Sequence, residues 1–249
     1  MRLILIADVH ANWQALLSLQ RAEQKPDAVI FAGDAVGYGP DPSNCVKWLL
    51  ANATVAVKGN HDEMIRDSSS AVQLRTNGRV LNGDGIPVEL RESARESIAY
   101  SRKILARDDA LRLSQLPLTN YYEAGGAKLF VTHGTPTNPL NGQLNPATCN
   151  ESDLHAMFDS IDADVIVLGH THLPAIRVFG KKIIINPGSL GQPRYGVPDA
   201  TFAVWDDGRI QIHHLHYDHD AVANKIRLLP FSVETIEVLI EVLEKGMIV

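Results

Sequence analysis

The chain has 249 residues, 45% hydrophobic and 21% charged, which is enough to bury one substantial globular core. A formal net charge of −6 excludes the basic stripe needed to grip long nucleic acid through its phosphates, so a small ligand is the expected partner. No apolar run approaches the ~20 residues of a membrane span; the N-terminal one is too short for a signal peptide, and Cys45 and Cys149 alone make no disulfide framework, so a cytoplasmic, single-domain protein over residues 1–249 is expected.

The first element is the apolar strand Leu3-Ile4-Leu5-Ile6-Ala7, which ends at Asp8-Val9-His10. Asn12 then stands where a helix N-cap is needed, ahead of Trp13, Leu16, Leu17 and Leu19, and the chain returns to a sheet at Ala28-Val29-Ile30-Phe31-Ala32. That is a βαβ unit. The second strand ends at Gly33-Asp34 and opens the glycine-rich stretch Ala35-Val36-Gly37-Tyr38-Gly39-Pro40. Asp41-Pro42 reads as an N-cap with proline in the first turn of a helix through Cys45, Val46, Trp48, Leu49 and Leu50. A third strand, Thr54-Val55-Ala56-Val57, ends at Gly59-Asn60-His61-Asp62. Strands and helices in alternation imply a largely parallel arrangement.

Residues 63–116 hold no strand pattern; Ile98, Leu105 and Leu111 have helical spacing, and Asn82-Gly83-Asp84-Gly85 breaks the run. A helical excursion flanking the site is expected there, with Arg66 and Arg75 as surface ion-pair residues. Strands return at 127–132, 165–168, 183–185, 201–205 and 209–215, the last two joined by the hairpin signal Asp206-Asp207-Gly208. His213, His214, His216 and His219 crowd the end of that hairpin and read as a solvated edge strand rather than a metal site. The tail, from a Ser232 cap through Ile236, Leu239, Ile240 and Leu243, has the stripe of an amphipathic helix.

Five of these strands end on residues of metal-ligand type: Asp8 and His10, Asp34, Asn60-His61-Asp62, His133, and His170-Thr171-His172. One such segment means little, since a lone histidine after an apolar run is usually structural. Together they have a geometric meaning, because strands of one sheet bring their C-terminal ends to a common edge, where sites in α/β proteins lie.

This order of motifs, from Asp8 to Asn186, resembles the calcineurin-like metallophosphoesterase superfamily. Gly33-Asp34-Ala35-Val36-Gly37-Tyr38-Gly39-Pro40 and Asn186-Pro187-Gly188-Ser189 with Gln192-Pro193-Arg194 are similar to its compact bacterial and archaeal phosphodiesterase-type branch. The resemblance implies an α/β fold, a four-layer α/β/β/α sandwich of two mixed sheets flanked by helices. It implies two divalent ions, one held by Asp8, His10, Asp34 and His172, the other by Asp34, Asn60, His133 and His170, with Asp34 as the bridge.

Nitrogen, carboxylate and amide ligands without thiolate suit manganese, iron, zinc or nickel. Two dications, two aspartates and a bridging hydroxide leave a site of net positive charge that attracts a phosphate, and the hydroxide is the expected nucleophile. His61, next to ligand Asn60 but not itself a ligand, is the expected general acid, with Asp62 holding its imidazole. Tyr38, Arg194 and Asn12 are candidates for contacting the substrate, Arg194 because a guanidinium matches phosphate oxygens. The expected activity is hydrolysis of small phosphodiesters or nucleotide-type esters. Alternatives are a phosphomonoesterase or protein phosphatase, and a non-catalytic scaffold like the retromer subunit of this superfamily. A homo-oligomer is compatible with all of them.

Overall fold

A computed structural model describes residues 1–66 and 88–247. In the first of its two five-stranded sheets, β1 (Arg2–Ile6), β2 (Ala28–Phe31) and β3 (Val55–Ala56) run parallel, while β9 (Ala200–Asp206) pairs antiparallel with β1 and β10 (Arg209–Leu215) lies at the edge. The second has β5 (Ala127–Thr132), β6 (Val165–Val167) and β8 (Lys182–Asn186) parallel at its centre. Its antiparallel edges are β4 (Thr119–Ala124) and β7 (Ala175–Phe179).

Alternation along the strands sorts side chains between layers. Leu3, Leu5, Ala7, Ile30 and Val55 of the first sheet meet Leu129, Val131, Val165, Val167 and Ile185 of the second in one buried cluster. Ile4, Ile6, Val29 and Phe31 point the other way, under α1 (Trp13–Ala22), α2 (Pro42–Asn52), α7 (His219–Ile226) and α8 (Val233–Lys245). Phe130, Ile166 and Ile184 are covered by Leu154 and Phe158 of α6 (Glu151–Phe158). Helices, sheet, sheet and helix form the expected four layers. With both faces covered, the inner strands read as continuous apolar runs.

The excursion is helical where it is described, as α3 (Asn60–Glu63), α4 (Val88–Ile104) and α5 (Arg107–Ser114). Ile98 and Leu105 are buried as their spacing predicts, but Leu111 is 53% exposed. Arg66 is exposed, and Arg75 and the Asn82–Gly85 break lie outside the described residues. Asn12 and Ser232 cap α1 and α8 as expected, accepting from the N–H of Ala15 and Thr235. Asp41 holds the N-cap position of α2 with Pro42 in the first turn, but its carboxylate makes no capping bond and accepts from Lys225 Nζ at 2.7 Å instead. His213 and His214 lie on the edge strand β10, whereas His216 follows it and His219 opens α7.

The inter-sheet contact gives a direct stability test. Leu5 is fully buried between the sheets, so Leu5→Ala should cost about 2–5 kcal/mol in urea unfolding. A loss under about 1 kcal/mol would mean that the sheets close over the gap.

Candidate metal centre

The C-terminal ends of β1, β2 and β3 in one sheet, and of β5 and β6 in the other, open onto the same space. Asp8 and His10 follow β1, Asp34 follows β2, Asn60 opens α3 after β3, His133 follows β5, and His170 and His172 follow β6. All seven predicted ligands converge. His10 Nε2 lies 3.0 Å from His172 Nε2 and 3.8 Å from Asp8 Oδ1 and Asp34 Oδ2. On the other side, His133 Nε2 is 3.4 Å from Asp34 Oδ2 and 3.0 Å from Asn60 Oδ1, and His170 Nδ1 is 3.1 Å from that same amide oxygen.

The ring orientations are set by the backbone. Nδ1 of His10, His133 and His172 lies 2.9, 2.9 and 2.5 Å from the carbonyls of Val36, Ala32 and Gln192. A ring that donates there presents an Nε2 lone pair to the centre, the arrangement by which protein carbonyls orient metal-binding histidines. Two such lone pairs at 3.0 Å repel unless a cation lies between them. Asp8 Oδ1, buried and without a hydrogen-bond partner, points to the same need. The residues present therefore fit divalent cations.

The two carboxylate oxygens of Asp34 have different surroundings. Its Oδ1 accepts the backbone N–H of His61 at 2.9 Å, which leaves Oδ2 to face the histidines of both sides. Asp62 differs from its expected role. Its Oδ2 accepts from the N–H of Asp34 at 2.8 Å and of Gly59 at 3.1 Å, and its Oδ1 from Ala35 at 2.8 Å. It braces the two ligand-bearing loops rather than the His61 imidazole, whose buried Nδ1 has no partner.

The three candidate substrate contacts also separate. Asn12 is 1% exposed and spends its amide on Ala15 N and Gly191 O, so it is structural. Tyr38 is 7% exposed and packs at 4.7 Å from the ring centres of both His10 and His61, which leaves no free face for a base. Arg194 remains at the rim, its guanidinium 5.7 Å from the Tyr38 ring centre.

Sequence reasoning assigned no role to several residues that hold this geometry. Asn186 Nδ2 donates to the Gly169 carbonyl and Thr171 Oγ1, Ser189 Oγ donates to the Asp8 carbonyl, and the Gln192 carbonyl orients His172. Their signal was the Asn-Pro-Gly-Ser segment itself.

Backbone strain is concentrated here. Asp8, His10, Asp34, His170 and His172 have φ of 52°, 44°, 62°, 69° and 61°, in the left-handed region that disfavours residues with a Cβ. Glycine is required beside them: a Cβ at Gly37, itself at φ 89°, would lie 2.2 Å from His61 Nδ1, and one at Gly191 1.9 Å from the Val9 carbonyl.

Burial lowers His10, His61 and His172; Asp34 opposes this at His61, and the Arg194 charge reinforces it at His61 and His172. Burial would lower His133 as well, but the adjacent Asp34 outweighs it and raises His133 to about 9. Burial raises Asp8 and, with Asp34, pushes Asp62 up to about 7.

The sign of the His133 shift gives a prediction. With its folded value near 9 and its ordinary value 6.5, metal-free His133 carries its proton at neutral pH and must shed it to become a ligand. Metal uptake between pH 7 and 8 should release this proton. Apparent affinity should climb about tenfold per pH unit on its account and level off above about pH 9. Proton release measured during metal titration checks this; none at this step would mean that His133 is already neutral.

Comparison with known proteins agrees with the geometry. An uncharacterized protein of Methanocaldococcus jannaschii is 27% identical over 241 residues, covering 89% of this chain and 90% of that one. The crystal structure of a metallophosphoesterase from Sphaerobacter thermophilus matches with a TM-score of 0.77 at 26% identity over 99% of both chains. The phosphodiesterase YfcE of Escherichia coli is 33% identical over a local stretch of 85 residues, 34% of this chain and 38% of its own. The model of the calcineurin-like phosphoesterase superfamily domain matches residues 1–207, and the chain belongs to that superfamily.

Proposed function

We propose that this protein is a phosphoester hydrolase that works with two divalent metal ions. The observation that carries the reading is the convergence of His10 and His172 Nε2 at 3.0 Å, each ring held from behind by a backbone carbonyl. Asp8, His10, Asp34 and His172 would hold one ion, and Asp34, Asn60, His133 and His170 the other, with Asp34 common to both sets. Manganese, iron, zinc and nickel suit these donors. When bound, such ions supply positive charge for a phosphate and lower the pKa of water at the site.

The chain's own residues then have distinct tasks. A ring nitrogen of His61 lies within 4.8 Å of a His10 ring nitrogen and an Asp34 carboxylate oxygen, near enough to deliver a proton to a departing oxygen. Tyr38 and Gly37 pack against its ring and hold it there. Asp62 keeps the Asp34 and Gly59 backbones in place, so that neither ligand loop relaxes when the phosphate arrives.

Small phosphodiesters or nucleotide-type esters are the proposed substrates. The local likeness to a protein named as a phosphodiesterase supports this choice. Stacking on Tyr38 does not, because that ring is already buried between two histidines.

Two variants test the assignment. Asp34→Asn removes the charge from the shared carboxylate, so metal analysis should find well under two ions per chain; full occupancy at unchanged affinity would exclude the bridge. His61→Gln should keep its metals and lose about 10²–10⁴ in rate on metal-reloaded protein. That loss should shrink for leaving groups such as nitrophenolate, which depart without a proton. A loss independent of the leaving group would remove His61 from the acid role.

A further inference from the structure

Arg194 stands at the rim of this centre. Among the described residues it pairs with no carboxylate: Nη2 donates to Gln192 Oε1 at 2.6 Å, Nε is buried without a partner, and the guanidinium lies over Tyr38. Arg2 shows the usual solution, with Glu23 at 2.7 Å and Asp206 at 3.4 Å. A half-buried cation without a counter-charge is costly, and divalent ions nearby raise that cost. An anion in the site would relieve it.

The guanidinium is also held before any ligand arrives. Gln192 is 3% exposed; its carbonyl orients His172 and its side-chain oxygen holds Arg194, so a metal-ligand residue and the guanidinium hang from one residue. The Gln192 amide is oriented by that bond, since only its oxygen accepts from Arg194, and Nε2 is left buried without a partner. Tyr38 is the second support, in contact with the Arg194 guanidinium and with the rings of His10 and His61. Tyr38 links the guanidinium to the ligand cluster, its ring centre 5.7 Å from Arg194 Cζ and 4.7 Å from the ring centres of His10 and His61. A preorganised guanidinium loses little side-chain freedom on binding, and its fork matches phosphate oxygens.

We infer that Arg194, positioned by Gln192 and Tyr38, binds a phosphate oxygen of the substrate beside the metal centre. The inference rests on the phosphoester reading and deepens it. That oxygen belongs either to the phosphoryl group at the ions or to a second phosphate of a nucleotide-type substrate, and the two sources separate experimentally.

The full-length protein, stripped and reloaded with manganese, is titrated with orthophosphate by calorimetry. Turnover is measured in parallel on bis(nitrophenyl) phosphate, which has one phosphate, and on a dinucleoside polyphosphate. Arg194→Gln removes the charge. Gln192→Glu keeps the shape of the support but gives the guanidinium a carboxylate of its own. Both variants should keep their metal content and thermal midpoint while losing about 10–100-fold in phosphate binding, the range of one charge-assisted hydrogen bond.

Loss of orthophosphate affinity with equal losses in kcat/KM for both substrates assigns the oxygen to the reacting phosphoryl group. Unchanged orthophosphate affinity with a loss confined to the dinucleoside polyphosphate assigns it to a second phosphate. Unchanged binding and turnover with metals in place, or a loss of metal in Arg194→Gln, overturns the clamp. A wild-type protein that binds orthophosphate through Arg194 yet hydrolyses no ester keeps the clamp and overturns the hydrolase reading instead.

Discussion

Lone pairs and carboxylates that repel one another are held at the centre of this molecule, and much of the surrounding structure keeps them there. His10 and His172 aim Nε2 at each other across 3.0 Å, and Asp8 and Asp34 are buried beside them. Folding this centre without cations leaves charge and lone pairs uncompensated in a low dielectric, a cost recovered only when positive charge enters. The carboxylate of Asp34 beside His133 favours a proton on that imidazole, which meets part of that need and ties metal affinity to pH.

The restraints against relaxation are mostly backbone groups. Three carbonyls fix three imidazoles, and the Asp62 carboxylate binds three N–H groups from two loops. Five predicted ligands sit at positive φ, a conformation that costs of order 1–3 kcal/mol each. Such strain persists only where packing overdetermines it, and here the inter-sheet cluster supplies that packing directly beneath the ligand loops.

The two sheets contribute unequally. The first brings Asp8, His10, Asp34 and Asn60 from three parallel strands, and the second brings His133, His170 and His172 from two. The centre therefore spans the sandwich, and a shift of one sheet against the other changes the distances on which coordination depends. The segment after β8 ties the halves together through Ser189 on the Asp8 carbonyl, while Asn186, the last residue of β8, holds the Gly169 carbonyl within the second sheet. Gln192 joins the same region to the rim, so Arg194 is carried by the framework that orients a ligand.

The sequence by itself determined the buried strands, the residues of metal-ligand type at their ends and the superfamily, because apolar runs followed by such residues are local patterns. It also determined the caps at Asn12 and Ser232, which depend on a few adjacent residues. The edge strands β4 and β7 escaped notice although Gly125-Gly126 and Gly180 mark their turns, since half-exposed strands carry a weak apolar signal. Helix α6 escaped for a similar reason, being short and mostly exposed. Only the tertiary structure decided where the polar side chains point. It turned Asp62 to the backbone, took up both ends of the Asn12 amide, closed Tyr38 against two histidines and left Arg194 without a carboxylate partner among the described residues. Those outcomes depend on which backbone groups from distant segments arrive alongside, and residue type and spacing along the chain do not encode that.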